Sequence, residues 1–276
     1  MDTTHSTENS NIQLNSEERG CQFNTEKYLS IHAYPTMIPA LNFIIENLIR
    51  IVNENKTRLG HDRALEFGGG PSLLGSFLLA QKIKSIVFAD YISHNLTDVE
   101  NWVKEKPNAH NWSDLFDRVI QEYQKQTDDM SVKRSDWEKQ LREAIKHGGL
   151  FECDVNANDG PVLNGEPKHY DVVLSSMFLE RACTTHIIYK HTIKRLYELL
   201  KEDGLIILIS DLDQTYYIEN EHRHPILSLN RTVVIEALRD AGFEDIHDES
   251  QNQELDKVAD GNAVMIITAF KPKSSV

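Results

Sequence analysis

The spacing of apolar residues changes character along the chain, and each change marks an element. Between 37 and 56 they recur at Ile38, Leu41, Ile44, Ile45, Leu48 and Val52, three or four apart, which predicts an amphipathic helix. Residues 64–67 form a short apolar run closed by Gly68-Gly69-Gly70-Pro71, a strand entering a turn, and 72–81 read as the helix that follows. SIVFA at 85–89 is a second strand, ending at Asp90. Helical periods follow near 95–105, 112–126 and 133–147, the last carrying Trp137, Leu141 and Ile145 on one stripe. Further strands are expected at 150–153, 170–174, 205–210, 243–247 and 262–270. Helices at 185–201, stopped by a turn at Gly204, and at 228–241, ending at Gly242, separate the later ones. Strands alternating with helices predict an α/β fold, Rossmann-like, with a mostly parallel seven-stranded sheet and helices on both faces. Residues 1–20 hold only Ile12 and Leu14 as sizeable apolar groups and are expected to be a disordered tail. The remaining 21–276 are expected to form one domain, with 21–60 as an N-terminal helical lid and helix.

Composition narrows the choice of partners. With 43 acidic and 29 basic residues the net charge is −14, a field that repels phosphate backbones and makes nucleic acid an unsuitable partner. Three cysteines, Cys21, Cys153 and Cys183, are too few and too scattered for a disulfide framework and suit a reducing compartment. No apolar run reaches the ~18 residues that a membrane span needs. The expectation is a cytoplasmic protein that acts on small molecules, without nucleic acid or membrane.

In a sheet of this kind ligands bind outside the carboxyl ends of the strands. Polar or glycine positions stand at successive strand ends here. The first strand runs into Glu66-Phe67-Gly68-Gly69-Gly70, where glycines let the turn bend and a ligand approach the backbone. The second ends at Asp90, at the distance beyond the loop where an acid meets ribose hydroxyls. The third closes on Asp154, placed to accept from an adenine amino group, and the fourth on Ser175-Ser176. A loop followed by two such acids points to an adenosine-type cofactor. A dinucleotide would need amides for its pyrophosphate, but Leu73 holds the third glycine position of that fingerprint and Pro71 removes one amide. No G-K-[ST] follows the loop, which excludes P-loop chemistry. S-adenosylmethionine carries no phosphate and fits better.

At these residues the sequence resembles the nicotinamide, phenylethanolamine and indolethylamine N-methyltransferase family, from about Phe23 to Lys271. The likeness is carried by FNTEKYL, LEFGGGPS, ADYISHNLTDVENWVKEKPNAHNWS, CDV, LSSMFLERAC and DLDQTYYI, most specifically by Asp90-Tyr91 with Asn95, then Trp102, Pro107 and Trp112. The resemblance implies an enzyme that moves a methyl group from S-adenosylmethionine, leaving S-adenosylhomocysteine, onto a small amine or pyridine-type heterocycle, nicotinamide-like in preference, in a cytoplasmic monomer. By the same likeness Tyr28 covers the cofactor from the lid, with Tyr34 beside it. Gly68, Gly69 and Gly70 approach its methionine part and Ser72 its carboxylate. Asp90, Tyr91 and Asn95 hold the ribose, Asp154 and Val155 flank the adenine, and Ser176 and Ala182 meet the methionine end. The acceptor would lie among Tyr28, Glu180, Asp211, Asp213 and Tyr217, with Glu180, Asp211 and Tyr28 at the chemical centre. The chain departs from the family pattern at His32-Ala33, where a second lid tyrosine is common, at Glu66 in place of an aspartate, and in a segment from Asp211 to Tyr217 one residue shorter than in the nicotinamide enzymes.

Other readings of the same residues give different chemistry. His32, His186, His191, His222 and His224 lack the H-E-x-x-H or carboxylate spacing of a metal site, so no metal is expected. His222 and His224 suit one face of an extended segment, and Trp102 and Trp112 read as packing residues. A same-fold methyltransferase with a sulfur acceptor, or a non-catalytic adenosine-ligand binder, remains open.

Overall fold

The structure, a computed structural model, describes residues 29–30, 38–156, 163, 169–219, 222–253 and 259–273. Helix α1 (Ile38–Glu54) opens the described core and buries Leu41, Ile44, Ile45, Leu48 and Val52 along one stripe, as its period predicts. Strand β1 (Arg63–Phe67), helix α2 (Leu74–Leu79) and strand β2 (Ser85–Asp90) form the first parallel unit. Three helices then run consecutively: α3 (Ser93–Val103), α4 (Ser113–Thr127) and α5 (Arg134–Gly148). Strands β3 (Leu150–Glu152) and β4 (Tyr170–Ser176), helices α6 (Leu179–Ala182) and α7 (His186–Leu199), and strand β5 (Leu200–Leu212) follow. A hairpin, β6 (Tyr216–Glu219) and β7 (His222–Pro225), precedes helix α8 (Arg231–Ala241) and strands β8 (Glu244–Asn252) and β9 (Ala263–Phe270).

The main sheet has seven strands in the order β3-β2-β1-β4-β5-β9-β8, parallel except that β9 runs against both its neighbours. Side chains alternate between faces, and the core divides accordingly. Ala64, Ile86, Phe88, Val172, Leu174 and Ile207 pack under α1, α2, α4 and α5. Leu65, Phe67, Val87, Val173, Ile206 and Leu208 pack under α7 and α8. Buried on both faces, the central strands read as continuous apolar runs, which is why they are visible in the sequence. Trp102 and Trp112 are buried and pack on Phe116, Trp102 edge-on and Trp112 stacked, so both are core residues as expected.

Several boundaries move for identifiable reasons. Helix α2 starts two residues later than expected because Ser72 and Leu73 stay outside it, the Ser72 N–H donating back to the Gly69 carbonyl at 3.2 Å. Helix α8 starts at Arg231 because Asn230 caps it, its side chain accepting from the Val233 N–H. Helix α7 stops at Leu199, before the Gly204 turn, because Leu200 already pairs with Tyr170 in the sheet. The hairpin and α6 are additional to the expected elements. Tyr28 and Tyr34, and with them most of the expected lid, lie outside the described residues.

Candidate active site

The chain leaves β1 toward β2 and β3, then returns to place β4 on the other side of β1, so a crevice opens between the ends of β1 and β4. Every described candidate residue falls on this carboxyl edge or the segments leaving it. Gly68 and Gly70 have φ of +72° and +60°, conformations that L side chains rarely adopt. A β-carbon on Gly68 would also fall inside the ring of Phe178, which lies edge-on to Phe67. A β-carbon on Gly70 would meet nothing within 4 Å, so the backbone face at Gly70 is open to a ligand.

The loop amides have fixed destinations. The Gly68 and Gly69 N–H groups donate to the Ala89 carbonyl at 2.8 and 3.2 Å, and the Gly70 N–H donates to Asp90 Oδ2 at 2.8 Å. Three successive amides therefore turn inward to β2, and the loop cannot cradle a pyrophosphate as a dinucleotide fold does. The other oxygen of Asp90 accepts from the Ile92 N–H at 2.9 Å and from Asn95 Nδ2 at 3.0 Å. Asp90 is buried, and burial pushes its carboxyl above the usual carboxylate range against the pull of those donors. Asn95 Oδ1 and Ser175 Oγ are buried acceptors with no partner among the described residues. Tyr91 is half-buried beside this group. At the end of β3 the half-exposed Asp154 accepts from the Asn156 N–H at 2.8 Å, Val155 is buried, and Asn156 Nδ2 reaches the Ala182 carbonyl at 3.1 Å. An open glycine backbone, an acid at each of two strand ends and unsatisfied buried acceptors fit a polar, phosphate-free adenosine cofactor.

The ends of β4 and β5 carry a second cluster. Glu180, on α6, is fully buried and Asp211 is 6% exposed. Glu180 Oε1 accepts from the Asp211 backbone N–H at 3.2 Å. Arg181 bridges the acids, with Nη1 3.2 Å from Glu180 Oε1 and Nη2 2.9 Å from Asp211 Oδ2. Its Nη1 also donates to the Met177 carbonyl. Burial, partly offset by Arg181, pushes the Glu180 carboxyl up to about 7, and the neighbouring Asp211 adds to the rise. Glu180 Oε2 is buried with no partner among the described residues.

Tyr217 forms the flank of this cluster. In the hairpin it pairs with His224, and the two rings stack with centroids 5.0 Å apart; the Arg181 guanidinium lies 5.3 Å from the Tyr217 ring. Asp260 anchors the hairpin by accepting from the Thr215 and Tyr216 N–H groups at 2.8 and 3.2 Å. Half-buried Ser176 and Ala182 lie on either side of Glu180 and Arg181 along the chain. Asp213 is not drawn in: it is exposed and accepts from Asn262 Nδ2 at 3.1 Å. Ser72 is half-buried, its hydroxyl accepting weakly from the Leu74 N–H at 3.4 Å.

Arg181, His224 and the buried hydroxyl of Tyr189 were not expected here. Burial and the charge of Glu180 both raise the Tyr189 hydroxyl, which marks its proximity to that acid. The extended His222-x-His224 spacing was the one signal; nothing in the sequence marks an arginine beside an acid as the bridge between two buried carboxylates. Among the described residues no group of three or more His, Cys, Asp or Glu side chains could hold a metal ion, and no helix is long and apolar enough to cross a membrane.

Comparison with known proteins agrees with this geometry. A family model described as the NNMT/PNMT/TEMT family matches residues 11–272. Nicotinamide N-methyltransferase of Homo sapiens is 29% identical over 217 residues, covering 79% of this chain and 78% of its own length. Indolethylamine N-methyltransferase of Mus musculus is 24% identical over 239 residues, covering 84% of this chain and 86% of its own. The crystal structure of the YcgJ protein from Bacillus matches with a TM-score of 0.50 at 8% identity, over 83% of this chain and 99% of that one, a likeness of fold alone.

Proposed function

The chain belongs to the NNMT/PNMT/TEMT family and is an S-adenosylmethionine-dependent methyltransferase, and from that premise we propose that it methylates the ring nitrogen of a small, nicotinamide-like heterocycle. The observation that carries the choice of acceptor is the buried pair Glu180 and Asp211 at the ends of β4 and β5, with Tyr217 beside it. An unpartnered, buried Glu180 Oε2 suits a polar group on the acceptor such as a carboxamide. The higher identity to the nicotinamide enzyme than to the indolethylamine enzyme, 29% against 24%, leans the same way.

S-adenosylmethionine supplies, when bound, a methyl group on a sulfonium. On this reading Gly68, Gly69 and Gly70 admit its methionine part, and Ser72, Ser176 and Ala182 meet that end. Asp90, with Asn95 and Tyr91, holds the ribose, and Asp154 and Val155 flank the adenine. Tyr28 and Tyr34 cover the bound molecules. The protein's contribution would be positioning: Glu180 and Asp211 would fix the acceptor by hydrogen bonds and Tyr217 would wall its ring. A pyridine nitrogen is neutral near pH 7 and attacks without a base.

The test is an acceptor screen with S-adenosylmethionine, read by mass spectrometry. The expected result is S-adenosylhomocysteine together with an N-methylated pyridinium. Product from alkyl amines only, or methylation at sulfur without methylation at nitrogen, would overturn the assignment.

A further inference from the structure

We infer that Arg181 sets the charge of the acceptor: by tying up the two acids of the pocket it selects a neutral molecule over an ammonium. The inference rests on the reading of that pocket as the acceptor site and deepens it to a specificity-determining residue.

Two acids in one buried pocket would ordinarily invite a cation, and burial makes such a pair expensive without one. Here the cation is supplied by the chain. Arg181 faces Asp211 Oδ2 at 2.9 Å and Glu180 Oε1 at 3.2 Å, and a hydrogen bond to the Met177 carbonyl helps to fix the planar fork. A guanidinium stays protonated at every working pH, so the cluster carries at most one uncompensated negative charge instead of two. An incoming ammonium would have to displace Arg181 from Asp211 or sit close to a like charge. The aromatic route for holding a cation is compromised as well. Tyr217, the ring flanking the cluster, already has the Arg181 guanidinium at 5.3 Å and the His224 ring stacked at 5.0 Å. A neutral acceptor meets none of these obstacles. It can give an N–H to the buried Glu180 Oε2, which has no partner among the described residues, while its ring lies beside Tyr217.

The competing account is that Arg181 merely braces α6 against the end of β5. Isothermal calorimetry separates the two, using the full chain saturated with S-adenosylhomocysteine and titrated with nicotinamide or with phenylethylamine. With Arg181→Gln, the affinity for phenylethylamine relative to nicotinamide should rise by about tenfold or more as Asp211 becomes available. Arg181→Lys keeps the charge without the fork and should keep the wild-type ratio. A brace predicts instead that both ligands weaken by the same factor in both variants, and that result overturns the inference. Where Arg181→Gln does not fold, Arg181→Met, which keeps the aliphatic stem and removes the charge, replaces it: the same swing toward the amine is expected, and an unmoved ratio would overturn the inference. If the wild-type protein methylates pyridines but the ratio is unmoved, only this inference falls. If it methylates no pyridine at all, the proposed acceptor falls first.

Discussion

Glu66 offers a test that depends on no functional assignment. It lies at the end of β1, 4% exposed, with Ser76 Oγ donating to its carboxylate from α2. Burial pushes its carboxyl from 4.5 up to about 7, against the pull of the Ser76 hydrogen bonds. Below pH 4.5 the group is protonated whether the chain is folded or not, and its burial costs no charge. Between 4.5 and about 7 the unfolded chain ionises while the folded protein keeps its proton. Folding then takes up a proton, and stability falls by about 1.4 kcal/mol for each pH unit. Above 7 both states are ionised and the loss levels off. The gap from 4.5 to about 7 corresponds to roughly 3 kcal/mol at 1.36 kcal/mol per pH unit. Glu66→Gln is neutral throughout and its carboxamide oxygen can still accept from Ser76. The variant should therefore gain up to about 3 kcal/mol on the wild type between pH 5 and pH 8. Urea unfolding of both proteins at half-unit pH intervals measures the difference directly. Glu180, also raised to about 7, contributes the same slope to both proteins and cancels. A pH-independent difference between the two would show that Glu66 is not the buried acid described here.

Three further outcomes are expected. Asp90→Ala, which removes the acceptor of Gly70, Ile92 and Asn95, should weaken S-adenosylmethionine binding by about 1.5–3 kcal/mol in calorimetry on the folded variant. Unchanged affinity would remove Asp90 from the cofactor site. Gly68→Ala should destabilise by about 2 kcal/mol or more in urea unfolding, because φ is +72° and the new carbon falls on the Phe178 ring. Gly70→Ala carries the same backbone strain, with φ of +60°, but has open space at the new carbon, so it should destabilise by less, about 1 kcal/mol, and lose cofactor affinity as well; equal destabilisation by both would contradict the geometry. From pH 8 to 9, above the Glu180 titration at about 7, the rate with nicotinamide should stay level. An alkyl amine, mostly protonated there, should speed up about tenfold over the same interval, and a parallel rise for both would refute the neutral-nitrogen mechanism.

The parts of the fold that were legible from sequence are those where burial writes a period. Strands β1, β2, β4, β5 and β9 are buried along nearly their whole length and stand out as apolar runs. Strand β8 was expected to span only 243–247 because its sequence, EDIHDESQN, is polar and mostly exposed. It is a sheet edge, where charged side chains guard unpaired backbone and leave no apolar signal. The hairpin of YYIE and HRHP lacks a tight-turn dipeptide and is held by Asp260, 44 and 45 residues from the amides it accepts. Helix α6 has four residues, too few for a period to show.

The two halves of the site differ in the same way. On the cofactor side each group sits at the end of its own strand, so a glycine loop followed at fixed spacing by Asp90 could be placed by counting. Even there the reason for Gly68 was hidden, since the ring it must accommodate belongs to Phe178, on the far side of the crevice. The proposed acceptor side is assembled from contacts between segments: Arg181 meets Asp211 across 30 residues, and the Asp211 amide meets Glu180 across 31. Adjacent in sequence, Glu180 and Arg181 look like an ordinary solvated pair. Only the packing of α6 against the end of β5 makes one a fully buried acid and the other its counter-ion. On the proposed assignment, local spacing specifies the molecule that donates the methyl group, while the choice of what receives it depends on long-range packing around one arginine.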